Sequence, residues 1–221
     1  MRRTKETARK YSEFVAYFEK NMPIAKSELR YNDPYELLVA VILSAQCTDK
    51  RVNMTTPALF ARFPKPEDMA NSSQEEIFEY IKSISYPNNK AKNLFNMSRM
   101  LVSDFEGVVP DDIDELQKLP GVGRKTANVM MAVAFDKQAM PVDTHVFRVA
   151  NRIGLTKNSK SVTVTERTLV ENLPNDVLSK AHHWLILHGR YVCKARKPLC
   201  NQCGITQICD FYAKNIVKTN D

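Results

Sequence analysis

Apolar residues recur at three- and four-residue steps through almost the whole 221-residue chain, and almost nowhere at every second position. From Ala8 to Lys20, Tyr11, Phe14, Val15 and Phe18 fall on one stripe, the pattern of an amphipathic helix. The same periodicity predicts helices over Pro34 to Leu43, Val52 to Phe63, Gln74 to Ser83, Asn89 to Phe105, Asp111 to Leu119 and Arg124 to Phe135. Short separators divide them: Asn32-Asp33-Pro34, Phe63-Pro64-Lys65-Pro66, Tyr86-Pro87-Asn88-Asn89, Gly107 to Pro110, and Pro120-Gly121-Val122-Gly123. Val162-Thr163-Val164-Thr165 does alternate, but Glu166-Arg167 followed by periodic Leu169, Val170 and Leu173 favours a helix beginning there. With six glycines, no internal repeat and no long linker, the pattern predicts an all-α protein of helices joined by tight turns.

Length and charge narrow the picture. The chain is long enough for one large or two modest domains with real cores. A net charge of +7 favours a polyanionic partner, although a merely lysine-rich soluble protein would look the same. The longest apolar stretch, Leu37 to Ala45, is too short to span a bilayer and reads as a buried helix, so no membrane role is expected. Met1-Arg2-Arg3-Thr4-Lys5 leads into a charged helical pattern without the apolar core of a secretory signal, so a prokaryotic cytoplasm is expected.

Four of the five cysteines, Cys193, Cys200, Cys203 and Cys209, follow the spacing C-x6-C-x2-C-x5-C. A reducing compartment makes thiolate ligation a better reading than disulfides. One close pair flanked by single thiols suits an iron–sulfur cluster, and spacing alone leaves zinc equally open. The fifth, Cys47, lies in an apolar run and reads as a buried small side chain.

Leu119 to Ala127 must end one helix, turn within four residues and start another, which Pro120, Gly121 and Gly123 permit. Glycines lacking Cβ let backbone N–H groups approach a phosphate, and the following helix directs its unsatisfied N–H groups and positive dipole end the same way. An ordinary αα-hairpin would carry the same glycines. Further on, Asp143 precedes Thr144-His145-Val146, with Val146, Val149, Ala150 and Ile153 forming an apolar face, so it reads as a helix N-cap. His182, His183 and His188 lie on one helical run with Trp184 and read as packing residues rather than ligands.

Three segments and the cysteines together carry a specific resemblance. Leu-Pro-Gly-Val-Gly-Arg-Lys-Thr-Ala-Asn from Leu119, Pro141-Val142-Asp143-Thr144-His145-Val146-Phe147-Arg148-Val149, and His182 to Arg190 followed by the four thiols resemble the endonuclease III family of helix-hairpin-helix DNA glycosylases. The likeness runs nearly the full length, with the motifs in the family's order.

The resemblance implies two helical domains with a DNA cleft between them. A six-helix barrel carrying the helix-hairpin-helix spans 27–137, and 1–26 plus 138–221 form an iron–sulfur domain in which the four cysteines hold a 4Fe-4S cluster. It implies a monomer acting on double-stranded DNA that carries a damaged base or an abasic site. In it Lys125 is the amine that attacks C1′ and becomes a Schiff base, and Asp143 the assisting carboxylate. The dipole at the start of its helix works against an ammonium on Lys125, while a nearby Asp143 works for one. Gly121 and Gly123 contact phosphate, as do Lys194, Arg196 and Lys197 between the first two cysteines, unless these three are simply solvated charges.

Gln46, in Ser44-Ala45-Gln46-Cys47-Thr48-Asp49, matches the glutamine that fills the space left by an extruded nucleotide, and Asp49 is assigned to the lesion pocket. Read without the family, Gln46 only ends a helix and Thr48 or Asp49 caps the next. Ser85-Tyr86-Pro87-Asn88 departs from the family's Gly-Leu-Tyr-Asn-like wedge, putting Tyr86 where a leucine is usual. Lys125 and the chain's end soon after Cys209 favour oxidised pyrimidines over adenine as the excised base. A monofunctional mismatch glycosylase (thymine or adenine) and a non-catalytic DNA-binding iron–sulfur protein are the alternatives.

Overall fold

The computed structural model describes residues 5–215, and among them every regular element is helical, with no strand. The chain divides into two compact units, one of Ser27–Lys137 and one that joins Met1–Lys26 to Gln138–Asp221. Each has its own hydrophobic core. No helix among the described residues is long and apolar enough to cross a membrane.

The 27–137 unit is built around α2 (Pro34–Ser44), in which every residue from Tyr35 to Leu43 is buried. A helix apolar on all sides needs partners on all sides. It contacts α3 (Asp49–Arg62), α6 (Pro87–Phe105), and the run formed by α8 (Arg124–Val129) and a π-helical turn, Met130–Ala134. The short α4 (Pro66–Ala70) and α5 (Gln74–Ile81) pack on α6, while α7 (Ile113–Lys118) packs on α8. Starts are set by side-chain caps: Asp33 accepts from the Glu36 N–H at 2.8 Å, Ser73 from Glu76 at 3.1 Å, and Asp112 from Asp114 and Glu115 at 2.9 and 3.1 Å.

Several boundaries differ from the periodicity. Helix α3 begins three residues earlier than Val52, at Asp49, because the Thr48 hydroxyl accepts from the Arg51 N–H. Helix α6 begins at Pro87, inside the expected separator, since proline suits the first turn of a helix where no N–H is required. Helix α4 lies between Pro66 and Ala70, and five residues are too few to show a period. The helix expected to run to Phe135 changes at Met130 into its π-helical turn.

In the other unit, α1 (Lys5–Asn21) buries Tyr11, Phe14 and Phe18 against α9 (Thr144–Ile153), α10 (Val162–Asn172) and α11 (Leu178–Tyr191). α12 (Asp210–Asn215) follows the last cysteine and packs on α9. The centre of this core is Trp184, fully buried and stacked on Phe18 with ring centroids 5.7 Å apart, with Phe14 edge-on at 6.0 Å. Its indole N–H donates to the Met22 carbonyl at 2.8 Å, fastening the end of α1.

Trp184→Phe keeps the stacked ring but leaves that part-buried carbonyl without its donor. A loss of about 1–3 kcal/mol is expected, read from urea unfolding followed by far-UV circular dichroism.

Candidate active site and thiol centre

Helix α9 carries the carboxylate. Asp143 is its N-cap, with extended backbone, and Oδ1 accepts from the N–H groups of His145 and Val146, both at 2.8 Å. Oδ2 lies 3.2 Å from Nδ1 of His145. The side chain is 15 % exposed, so it is held rigidly yet reaches the surface. Just before the cap, the Pro141 carbonyl meets Nδ1 of buried His182 at 2.8 Å, which fixes the approach of the chain to α9.

The far end of α9 is equally constrained. Lys10 of α1 is buried, donates Nζ to the Ile153 carbonyl at 3.3 Å and pairs with Asp210. Tyr11 donates its hydroxyl to the Leu155 carbonyl at 2.9 Å. Gly154 ends the helix at φ 90°, a left-handed angle that suits glycine. Negative charge therefore sits at the helix's positive end and positive charge at its negative end.

Along the same helix, Arg148 and Arg152 point to the cysteine loop. Arg148 donates to the carbonyls of Gly189 at 2.9 Å and Cys193 at 3.3 Å. Arg152 donates to those of Lys194 at 2.7 Å and Ala195 at 2.9 Å, lies 3.5 Å from Cys193 Sγ, and stacks on Phe211 with its guanidinium 4.7 Å from the ring centroid. The loop between the first two cysteines is thus clamped from beneath, and Lys194, Arg196 and Lys197 are left exposed on it.

Cys193, Cys200, Cys203 and Cys209 are all free thiols and line one apolar pocket together with Ile153, Leu199 and Ile205. Burial first, and the charges of neighbouring thiolates with it, push the thiols of Cys200, Cys203 and Cys209 up. Four thiols lining one apolar pocket are costly as thiolates unless a cationic centre neutralises them. Among the described residues no three His, Cys, Asp or Glu side chains are grouped to hold a single metal ion. His188 lies 3.7 Å from Cys203 Sγ, and burial lowers its pKa to about 4, so it stands there as a neutral imidazole. His183 is likewise lowered to about 4, by burial and then by the charge of Arg190.

In the 27–137 unit, Lys125 is the exposed second residue of α8. Gly121 turns the hairpin at φ 84°, and a Cβ there would meet Asn93 at 3.0 Å. Gly123 caps α8 with its backbone extended, and no atom lies within 4 Å of where its Cβ would stand. The first glycine is required by the turn, and the second leaves the start of α8 open to a ligand.

Gln46 and Tyr86 are exposed, and each is a non-glycine residue at left-handed φ, 53° and 57°. Asp49 is half-buried at the start of α3. Cys47 packs only partly into the core, less deeply than its apolar neighbours suggest. Lys125, Gly121, Gly123, Gln46, Asp49 and Tyr86 belong to the 27–137 unit, and Asp143, the thiols and the basic loop to the other.

Sequence reading did not single out Arg152, Lys10, Lys90 or the hydrogen-bonding role of His182. The available signal was the four-residue step from Arg148 to Arg152 on the polar side of α9. The partners, backbone carbonyls 41 to 143 positions away, have no sequence signature.

Comparison with known proteins adds a consistent set of likenesses. Residues 39–175 match the family model described as HhH-GPD superfamily base excision DNA repair protein. The chain is 51 % identical over 195 residues to endonuclease III of Rickettsia conorii, covering 88 % of this chain and 92 % of that protein. It is 49 % identical over 187 residues to endonuclease III of Bacillus subtilis, covering 85 % of each. Among solved structures, a trapped endonuclease III–DNA covalent intermediate in an estranged-adenine complex superposes with a TM-score of 0.88 at 43 % identity, covering 94 % of this chain and 97 % of that one.

The cap and any chemistry of Asp143 are separable. Asp143→Ala should destabilise the protein by about 1 kcal/mol, whereas Asp143→Asn, also a good N-cap, should cost only a few tenths; thermal unfolding of the two variants measures the difference.

Proposed function

The chain belongs to the endonuclease III family, within the HhH-GPD superfamily of base excision DNA repair proteins, and on that footing we propose that it excises oxidised pyrimidines through an imine on Lys125. It is a DNA glycosylase and AP lyase. The observation that carries the finer reading is the exposed Lys125 at an open helix start, and the other unit separately supplies a carboxylate fixed by its own helix.

Breaking the C1′–N bond places positive charge on the sugar, which a carboxylate stabilises and an amine can capture. Neutral Lys125 attacks C1′, and the base leaves with the bonding electrons and takes up a proton. Opening of the sugar ring gives a protonated imine between C1′ and Nζ. Loss of a C2′ proton then expels the 3′ phosphate by β-elimination, and water returns the free amine. Asp143 stabilises the developing charge and moves protons, with Oδ1 accepting from two backbone N–H groups and Oδ2 beside Nδ1 of His145.

The protein acts as a monomer on double-stranded DNA with a damaged base or abasic site. Gly121 and Gly123 present backbone N–H groups to a phosphate, and the clamped loop presents Lys194, Arg196 and Lys197. Gln46 fills the vacated stack, Tyr86 stacks on the orphaned base in place of the usual leucine, and Asp49 faces the lesion. Cys193, Cys200, Cys203 and Cys209 hold a 4Fe-4S cluster. Support for it is the apolar pocket that the four thiols share and the mutual burden of the thiolates. The cluster supplies structural cross-linking of the loop, and no step of the reaction passes through it.

Borohydride trapping on a duplex with one thymine glycol tests the mechanism. The unaltered protein should give a covalent adduct and Lys125→Gln none, while Asp143→Asn binds the damaged duplex but turns over slowly. An adduct that survives Lys125→Gln would assign the amine elsewhere. Replacing Lys194, Arg196 and Lys197 together by Gln should lower the slope of log K against log salt by about 0.9 for each phosphate left without its cation, measured by fluorescence anisotropy between low and moderate salt.

A further inference from the structure

Lysines of a basic, DNA-binding chain belong in solvent, yet Lys90 is 6 % exposed. It stands in the first turns of α6, and its Nζ donates to the carbonyls of Leu43 at 2.8 Å and Ala45 at 2.6 Å. These are acceptors that the end of α2 leaves without intrahelical partners, at the negative end of its dipole. A glycine or asparagine cap would satisfy such an end without a buried charge. Here burial lowers the Lys90 pKa, and the nearness of Cys47 only partly opposes it.

What the buried ammonium secures is on either side of it. The residue after Ala45 is Gln46, held exposed at φ 53°. The Lys90 backbone N–H donates to the Tyr86 carbonyl at 3.2 Å, and Tyr86 is held at φ 57° with 62 % of its surface exposed. A non-glycine residue in this region costs on the order of 1 kcal/mol or more and persists only where its surroundings dictate it. Lys90 thus stands in the first turn of the helix that Tyr86 caps, and its side chain ties that helix to the end of α2 just before Gln46.

We infer that Lys90 is the positioning residue that joins the Gln46 loop to the Tyr86 loop as one preformed probe, so that both side chains enter the duplex together when a nucleotide is extruded. The inference rests on the reading of Gln46 and Tyr86 as the side chains that enter DNA. Lys90 itself touches no DNA, because its head group is buried under the loop it holds. Its contribution is preorganisation: with the loop ends fixed beforehand, opening the base stack carries no further cost of ordering them.

The test is single-turnover excision of thymine glycol by the unaltered protein, Lys90→Met, Gln46→Ala and the double variant, on a fully paired duplex and on one with the lesion in a bulge. Strand cleavage at a preformed abasic site and the visible absorbance of the cluster are measured alongside. Lys90→Met should slow excision from the paired duplex on the order of ten- to a hundredfold, and act far less on the bulge and the abasic site. Gln46→Ala should slow the paired substrate too, and the double variant should lose little more than the worse single one.

Full activity of Lys90→Met on paired DNA, with Gln46→Ala impaired, overturns the inference while leaving the reading of Gln46 intact. Equal slowing on all three substrates overturns it as well, since a general loss of structure would act that way. Full activity of Gln46→Ala, or no excision by the unaltered protein, overturns the reading and the inference with it. If Lys90→Met does not fold, Lys90→Gln, too short to reach both carbonyls, is scored by the same ratio of paired to bulged rates.

Discussion

Helix α9 is held at both ends by charge, and the described arrangement of its unit depends on that clamp. The Asp143 carboxylate takes the N–H groups of His145 and Val146 at one end, and Lys10 and Tyr11 of α1 take carbonyls at the other. Ten residues are too few for a stable free helix, so its rigidity comes from these caps and from Val146, Val149, Ala150 and Ile153 in the core. With the axis fixed, Arg148 and Arg152 become fixed donors for the loop between Cys193 and Cys200. A single element therefore aims a carboxylate and supports a basic loop.

The same economy appears in the 27–137 unit, where the exposed residues with unusual backbone angles are those next to helix ends. Gln46 follows the end of α2, Tyr86 precedes α6 and Gly121 precedes α8. For Gln46 and Tyr86 the neighbours are rigid and buried: α2 is apolar on all sides, and Lys90 ties the carbonyls at its end to α6. Loops that carry function need such scaffolds, because a floppy loop must be ordered at the moment of binding.

Thiol chemistry and carboxylate chemistry are kept apart by what surrounds them. The four cysteines face an apolar cavity, where burial and mutual repulsion disfavour thiolates until a cationic centre gathers them. Asp143 sits instead on a polar helix start, with Oδ1 on two backbone N–H groups and Oδ2 beside Nδ1 of His145. His188, buried and neutral beside Cys203, adds no charge to the thiol group and fills space against Phe18.

Much of this was present in the order of residues alone. Period-three-and-four apolar spacing requires helices, Pro and Gly at Pro120, Gly121 and Gly123 require the hairpin, and an aspartate before an apolar face requires a cap, because each follows from the local geometry of the chain. The cysteine spacing named a metal centre, although zinc and iron–sulfur were separated only by resemblance to a family. Where periodicity had too little length to act, as in the five residues of α4, or where packing reshaped the end of a helix, as in the π-helical turn at Met130, it was silent. Only tertiary structure decided that Lys10 and Lys90 are buried, that Arg152 serves carbonyls of the cysteine loop, and that Gln46 and Tyr86 are held at left-handed angles. A side chain's type states what bonds it can make, but which carbonyl receives them is settled by residues tens of positions away.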